Sequence, residues 1–235
     1  MRLLMMFLLI LPVMGYAHTR HIPVKLGDTV VTIVVEKHGR GKSFIHVHQN
    51  ETTALAAART VVREHGGRLI TLKHSGQRNI EFNWHHHHYE FDPNRIFTDR
   101  GIKKTLTLGG HYTRGAHRQV KHLAHAIKAV LPPGKVIAVH NNELYSLKDY
   151  FPGHSLAKDA RRINTNKHHY YRNFYVVTQR SDFRRLSKQH FNSVWQARRA
   201  TNDGSLSILL ARRGYVNVEA GYDQLGAQVQ MLEHA

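Results

Sequence analysis

Alternating apolar and polar residues over 22–26 and 29–35, with Gly27-Asp28 between the two runs, predict a β-hairpin. Residues 43–48 form a short β-rich run ending on His48, and period-two alternation places Phe44, His46 and His48 on one side of it. The period then changes. Ala54, Leu55, Ala58, Val61 and Val62 share one face of a helix over 52–64, which Gly66-Gly67 stops. Strands follow at 68–73 and 79–84, on either side of a turn at Ser75-Gly76, and a helix over 118–131 ends at Pro132-Pro133-Gly134. Residues 135–140 are apolar enough for a strand buried on both faces. Further strands are predicted at 173–178, 205–211 and 215–219, with a basic helix over 182–199 and a closing helix over 223–232. Residues 149–172 are irregular and basic and read as a loop over one face, of the kind that frames sites. Strands that alternate with helices imply an α/β layered sheet.

The first 17 residues read as a secretion signal: Arg2, an almost wholly apolar run over 3–14, then the small residues Gly15 and Ala17 around Tyr16. That run is shorter than the roughly 20 residues a membrane span needs, and no later run reaches such a length. The expected layout is a signal peptide at 1–17 and one domain at 18–235, exported to the periplasm or the extracellular space. The chain has no cysteine, which excludes disulfides, a lipoprotein anchor and thiolate metal sites. A net charge of +18 creates a field that attracts acidic peptides, cell-wall polymers, nucleic acid or anionic lipid. No nucleic-acid motif accompanies the charge, so specific nucleic-acid binding is not expected.

The candidate chemistry lies in three short segments: His48-Gln49-Asn50-Glu51, Asp92-Pro93-Asn94-Arg95 and Val139-His140-Asn141-Asn142. His48 leaves a strand at its carboxyl end, where open α/β sheets bind ligands, and Glu51 follows within one turn. His140 ends another apolar strand. If that strand is parallel to the first and near it, two imidazoles and a carboxylate meet at one sheet edge. Two His, one Glu and an open fourth position form a catalytic zinc set rather than a structural one. The Asn94-Arg95 pair suits a substrate carboxylate, because a guanidinium matches a carboxylate fork bidentately.

The His48-x-x-Glu51 pair, the later His140 and the Asn94-Arg95 pair resemble the zinc carboxypeptidase-like hydrolases. Asp92-Pro93-Asn94-Arg95-Ile96-Phe97 is similar to the Asp-Leu-Asn-Arg-x-Phe segment of the succinylglutamate desuccinylase and aspartoacylase branch. Thr98-Asp99-Arg100-Gly101 replaces the Pro-Gly that follows in that branch. The resemblance implies a three-layer sandwich with a central mixed sheet flanked by helices. It further implies that His48, Glu51 and His140 hold Zn2+, that Asn94 and Arg95 hold a substrate carboxylate, and that Arg78 polarises the scissile carbonyl, with Arg100 or Arg114 as alternatives.

A late carboxylate is needed as general base, and Tyr215-Val216-Asn217-Val218-Glu219 supplies one. Alternation puts Val216 and Val218 on one face and Tyr215, Asn217 and Glu219 on the other. Tyr215 or Tyr222 is a candidate cap for the pocket. The tract His85-His86-His87-His88 reads as an exposed loop able to pick up stray metal ions. His122 and His125 share a helical face, and His18 becomes the amino terminus if cleavage follows Ala17.

These readings converge on an exported zinc hydrolase that cuts an amide bond next to a free carboxylate. Its expected substrate is a short peptide, such as a cell-wall peptide, or an N-acyl amino acid. The alternative is a non-enzymatic, basic, His-rich secreted protein that binds metal ions or polyanions.

Overall fold

The computed structural model describes residues 17–235; the expected signal peptide lies almost wholly outside the described residues. The hairpin forms as β1 (His18–Leu26) and β2 (Thr29–His38). It is followed by β3 (Ser43–His46), α1 (Thr52–His65) and β4 (Gly67–Lys73). A second hairpin pairs β5 (Ile80–Trp84) with β6 (His87–Phe91). Two helices, α2 (Asp99–Leu108) and α3 (Arg114–Val130), lead to β7 (Val136–Asn142). The remainder runs through β8 (Ala160–Asn164), β9 (Phe174–Val177), α4 (Arg180–Lys188) and β10 (Ser193–Gln196). It closes with a single helical turn α5 (Leu206–Leu209), β11 (Tyr215–Gly221) and α6 (Leu225–His234).

Nine strands form one mixed sheet in the order β1-β2-β4-β3-β7-β11-β9-β10-β8. Its centre is parallel, from β4 through β3 and β7 to β11. Every residue of β7 and β11 is buried, as expected where both faces of a parallel strand are covered. Ile137, Val139, Val216 and Val218 face a layer made by α1, α4 and α6. Val136, Ala138 and Tyr215 face the opposite core, built with α2, α3 and the β5–β6 hairpin. Farther along that second face, Leu147 and Tyr150 cover Phe174, Val176 and Val194. This is the expected three-layer α/β architecture. Among the described residues, no helix is long and apolar enough to cross a membrane.

Several local expectations change. The basic stretch over 182–199 is not one helix: α4 ends at Lys188, the chain reverses through His190 (φ 63°), and β10 follows. Phe191 N donates to Leu186 O (3.1 Å), which closes the helix, and the burial of Phe191 and Val194 outweighs the helical charge pattern. Residues 205–211 form the turn α5 rather than a strand, with Leu206 and Leu210 buried. The His tract is not a free loop. His85 and His86 take positive φ (49° and 64°) at a hairpin tip, and His87 and His88 belong to β6, whose Tyr89 and Phe91 are core residues. The segment 149–172 contains β8. Helix α2 has a plain local signal, since Thr98 accepts from Gly101 N as its N-cap.

The amino end of α1 receives no capping bond from its own cap residue, Glu51. Asn141 on β7 does that work: its Oδ1 accepts Ala54 N (2.7 Å), and its Nδ2 donates to Gln228 Oε1 on α6 (3.0 Å). Gln228 in turn donates to His140 O (2.8 Å). Asn141→Leu leaves a helix N–H and an amide oxygen buried without partners, so we expect a loss of about 2–4 kcal/mol in urea unfolding. A change below about 0.5 kcal/mol would show that this network does not tie the two helices to the sheet.

Candidate active site

On the face shared with α2 and α3, the central strands are apolar first and polar last. Val136 and Ala138 give way to His140 and Asn142 on β7, and Tyr215 gives way to Asn217 and Glu219 on β11. The parallel register pairs Glu219 directly with His140. Neighbouring strands stand about 4.8 Å apart, so the two side chains emerge together at the carboxyl edge of the sheet.

His48 arrives from the other neighbour of β7. β3 ends at His46, and the chain then turns, with Glu51 N donating to His48 O (3.0 Å). The early end interrupts the expected alternation. Phe44 packs with α1, while His48 meets His140 on the other face. His46 keeps the alternation, and its Nε2 donates to Glu51 O (2.9 Å), which steadies the turn. Burial depresses the His46 pKa to about 4 and keeps that ring neutral.

His48 Nδ1 lies 3.2 Å from His140 Nδ1 and 2.9 Å from Glu51 Oε1, and His140 Nδ1 lies 2.9 Å from Glu51 Oε2. All three residues are buried. Tetrahedral zinc with ligands at about 2.0–2.1 Å sets those ligands about 3.3 Å apart, so the donor set fits the ion. Two ring nitrogens facing each other can share at most one hydrogen, whereas a divalent cation satisfies both and the carboxylate as well. His48 Nε2 donates to Asp92 Oδ1 (2.7 Å), which leaves Nδ1 as the coordinating atom. The same oxygen of Asp92 accepts Asn94 N (2.7 Å) and caps the short turn Pro93–Arg95, whose first residue, proline, needs no partner for a donor. One carboxylate thus orients a metal ligand and positions the Asn-Arg pair.

Burial opposes charge at His48, Asp92 and Glu51, but there the partners outweigh it. Asp92 and Glu51 lift the His48 pKa to about 9. His48, Arg95 and Arg78 hold the Asp92 carboxyl well below the usual range, and His140 and His48 do the same for Glu51. Arg78 pairs with Glu51 Oε1 and stands 3.8 Å from Asp92 Oδ2. Burial pushes the Glu219 carboxyl up. Its oxygens accept Asn217 Nδ2 (2.9 Å) and Asn142 Nδ2 (3.1 Å).

Asn94 Oδ1 accepts Leu206 N at the start of α5 (3.1 Å), and Asn94 Nδ2 faces His140 Nε2 at 3.5 Å. Arg95 Nη1 donates to Asn94 O (2.9 Å), and its Nε faces Asp203 Oδ2 at 3.4 Å. Close backbone contact fixes this corner. Gly204 has φ +81°, and a Cβ there would stand 2.4 Å from Arg95 O and 2.6 Å from Gly101 Cα.

All seven residues singled out from the sequence, His48, Glu51, Arg78, Asn94, Arg95, His140 and Glu219, line one cavity of about 610 Å³. Tyr145, Tyr150, Tyr215 and Tyr222 line it too. Arg100 and Arg114 are exposed and do not, so Arg78 is the arginine next to the cluster. His122 and His125 sit exposed on α3. A second group able to hold a cation, Glu64, His65 and Glu233, is exposed on the surface. Sequence reasoning did not give roles to Asp92, Asn142 and Asn217. The two asparagines were findable, since Asn142 follows His140 by two residues and Asn217 precedes Glu219 by two, which on a strand means the same face.

No family model matches the chain, and no curated protein matches it. Among solved structures, it is similar to an aspartoacylase family protein from Mesorhizobium loti, at 16% identity and a TM-score of 0.49, over 93% of this chain and 65% of the other. The chain therefore spans less than two thirds of the length of that protein.

With a pKa of about 9, His48 carries a proton at neutral pH in the metal-free chain, and a metal must displace it. The apparent zinc affinity should rise about tenfold per pH unit between pH 6 and 8, measured by competition with a chromophoric chelator. An affinity that does not change with pH would contradict coordination at His48 Nδ1.

Proposed function

We propose that this protein is an exported, zinc-dependent hydrolase that cleaves an amide bond beside a free carboxylate. The observation that carries the reading is the meeting of His48, Glu51 and His140 at one point, with Glu219 in register on the next strand and Asn94-Arg95 in the same cavity. When bound by the three ligands, zinc supplies Lewis acidity at the carbonyl and lowers the pKa of water. The remaining work falls to the chain itself.

Arg95 and Asn94 anchor the substrate carboxylate. Asp203 and the Asn94 carbonyl hold Arg95 in place, so the guanidinium is oriented before substrate arrives. Arg78, beside Glu51, adds positive charge where the carbonyl oxygen becomes anionic. Glu219 takes the proton of the attacking water and hands it to the leaving nitrogen. A buried carboxyl with a raised pKa is suited to both halves of that transfer, and Asn142 and Asn217 aim it. Asp92 holds the His48 ring in its coordinating tautomer.

The residues at 1–17 support export, and an exported enzyme meets short peptides rather than cytosolic metabolites. Cell-wall peptides carry amide links and free carboxylates, as do N-acyl amino acids, and both classes belong in the first assays. Glu219→Gln should lower hydrolysis by about 10²–10⁴-fold while zinc stays bound at one ion per chain. His48→Ala should lose the zinc itself. Hydrolysis that survives Glu219→Gln, or several weak metal sites in place of one tight site, would favour the non-enzymatic metal-binding alternative.

A further inference from the structure

Of the tyrosines that line the cavity, three have partners for their hydroxyls. Those of Tyr145 and Tyr150 bond to each other, and Tyr222 Oη accepts Asn50 Nδ2 at 3.5 Å. Tyr215 differs. Its backbone is held by Thr178, whose Oγ1 accepts Tyr215 N (3.0 Å) and whose N donates to Tyr215 O (3.1 Å). Its ring belongs to the core, and the residue is only 1% exposed. Yet its hydroxyl has no hydrogen-bond partner among the described residues, and it is not sealed from solvent as the unpartnered oxygens of Asn142 and Asn217 are. The sliver of surface that Tyr215 keeps therefore includes the hydroxyl, and it opens into the cavity. A buried phenol ordinarily finds a partner, and one left without is costly.

The surroundings of this hydroxyl identify the partner. The turn α5 packs on β11, and Leu206 at its start shares the core with Tyr215 while giving its N–H to Asn94 Oδ1 (3.1 Å). Arg95 follows Asn94, and its carbonyl oxygen lies close against Gly204, just before α5. Burial raises the Tyr215 phenol well above its usual range, and Glu219 and then Arg95 are the charged side chains it feels most. It stays protonated, as a neutral donor. Arg95 gives Nε to Asp203 and one Nη1 hydrogen to Asn94 O, so its remaining N–H groups can grip part of a carboxylate. A carboxylate has about four acceptor positions, which leaves room for another donor.

We infer that Tyr215 is a further substrate-binding residue, whose hydroxyl donates to the carboxylate that Arg95 anchors. The inference rests on that proposed anchoring and adds the donor that completes it. The guanidinium supplies charge and the phenol supplies direction. An amidated end offers a single oxygen and brings N–H groups of its own, which meet two donors. The pair thereby selects a free carboxylate.

The test is calorimetric titration of the zinc-loaded full chain with glutarate, a dicarboxylate with no bond to hydrolyse. Tyr215→Phe keeps the ring in the core and removes only the hydroxyl. It should weaken glutarate binding at least about tenfold, since a hydrogen bond to a charged group is worth that factor. The melting temperature of the ligand-free chain should stay within about 2 °C. Arg95→Ala measures the anchor itself and should weaken binding at least as much. Unchanged glutarate binding in Tyr215→Phe, or a loss that comes with a melting temperature lower by more than that margin, would overturn the inference. If Tyr215→Phe is silent while Arg95→Ala is not, the anchor stands and Tyr215 is no part of it. If Arg95→Ala is silent, or the unaltered chain does not bind glutarate, the anchoring fails and the inference falls with it.

Discussion

The pairing of β7 with β11, parallel and in a register that sets His140 beside Glu219, is the contact on which the site depends. A slip of one residue would turn every side chain of one strand to the opposite face. His140 would then look at a valine, and Glu219 would point into the apolar layer of α1, α4 and α6. The register is held by apolar burial on both faces of both strands and by the Asn141–Gln228 network, which ties the polar end of β7 to two helices. Packing under one half of each strand thereby fixes the chemistry at the other half.

Much of this could be read from the amino-acid sequence, and for a physical reason. Strand ends that close an apolar run with a histidine or a glutamate are local patterns, and His48, Glu51, His140 and Glu219 all lie in such patterns. Period-two alternation placed Glu219 on the face away from Val216 and Val218, as the structure has it. Less legible were features decided by distant packing. The stretch over 182–199 has the charge pattern of a helix, but Phe191, Val194 and Trp195 are claimed by the core, and a positive φ at His190 lets the chain turn back. The His tract looked solvated because its letters are polar, yet the strand period resumes at Tyr89 and Phe91. The role of Asp92 has no local signature in the sequence. Its bond to His48 spans 44 positions in the chain, and spacing does not reveal a contact of that kind.

The site also carries a cost in stability. Glu51, His48, His140 and Glu219 are all buried, and ionisable groups removed from water destabilise a fold unless each finds a partner. Here the partners are each other, together with Asp92, Arg78 and the two asparagines. Groups that share partners this densely are poised to exchange them, and that is the state in which a cation or a substrate finds donors already aimed.

The central claim is convergence around a single cation. Anomalous diffraction at the zinc edge, from crystals of the zinc-loaded full chain, tests it most directly. The account predicts one strong peak within about 2.0–2.2 Å of His48 Nδ1, His140 Nδ1 and a Glu51 oxygen, with Glu219 standing beside the ion and not coordinating it. Zinc found at the His85–His88 hairpin tip or at Glu64, His65 and Glu233, with no density between His48 and His140, would contradict it.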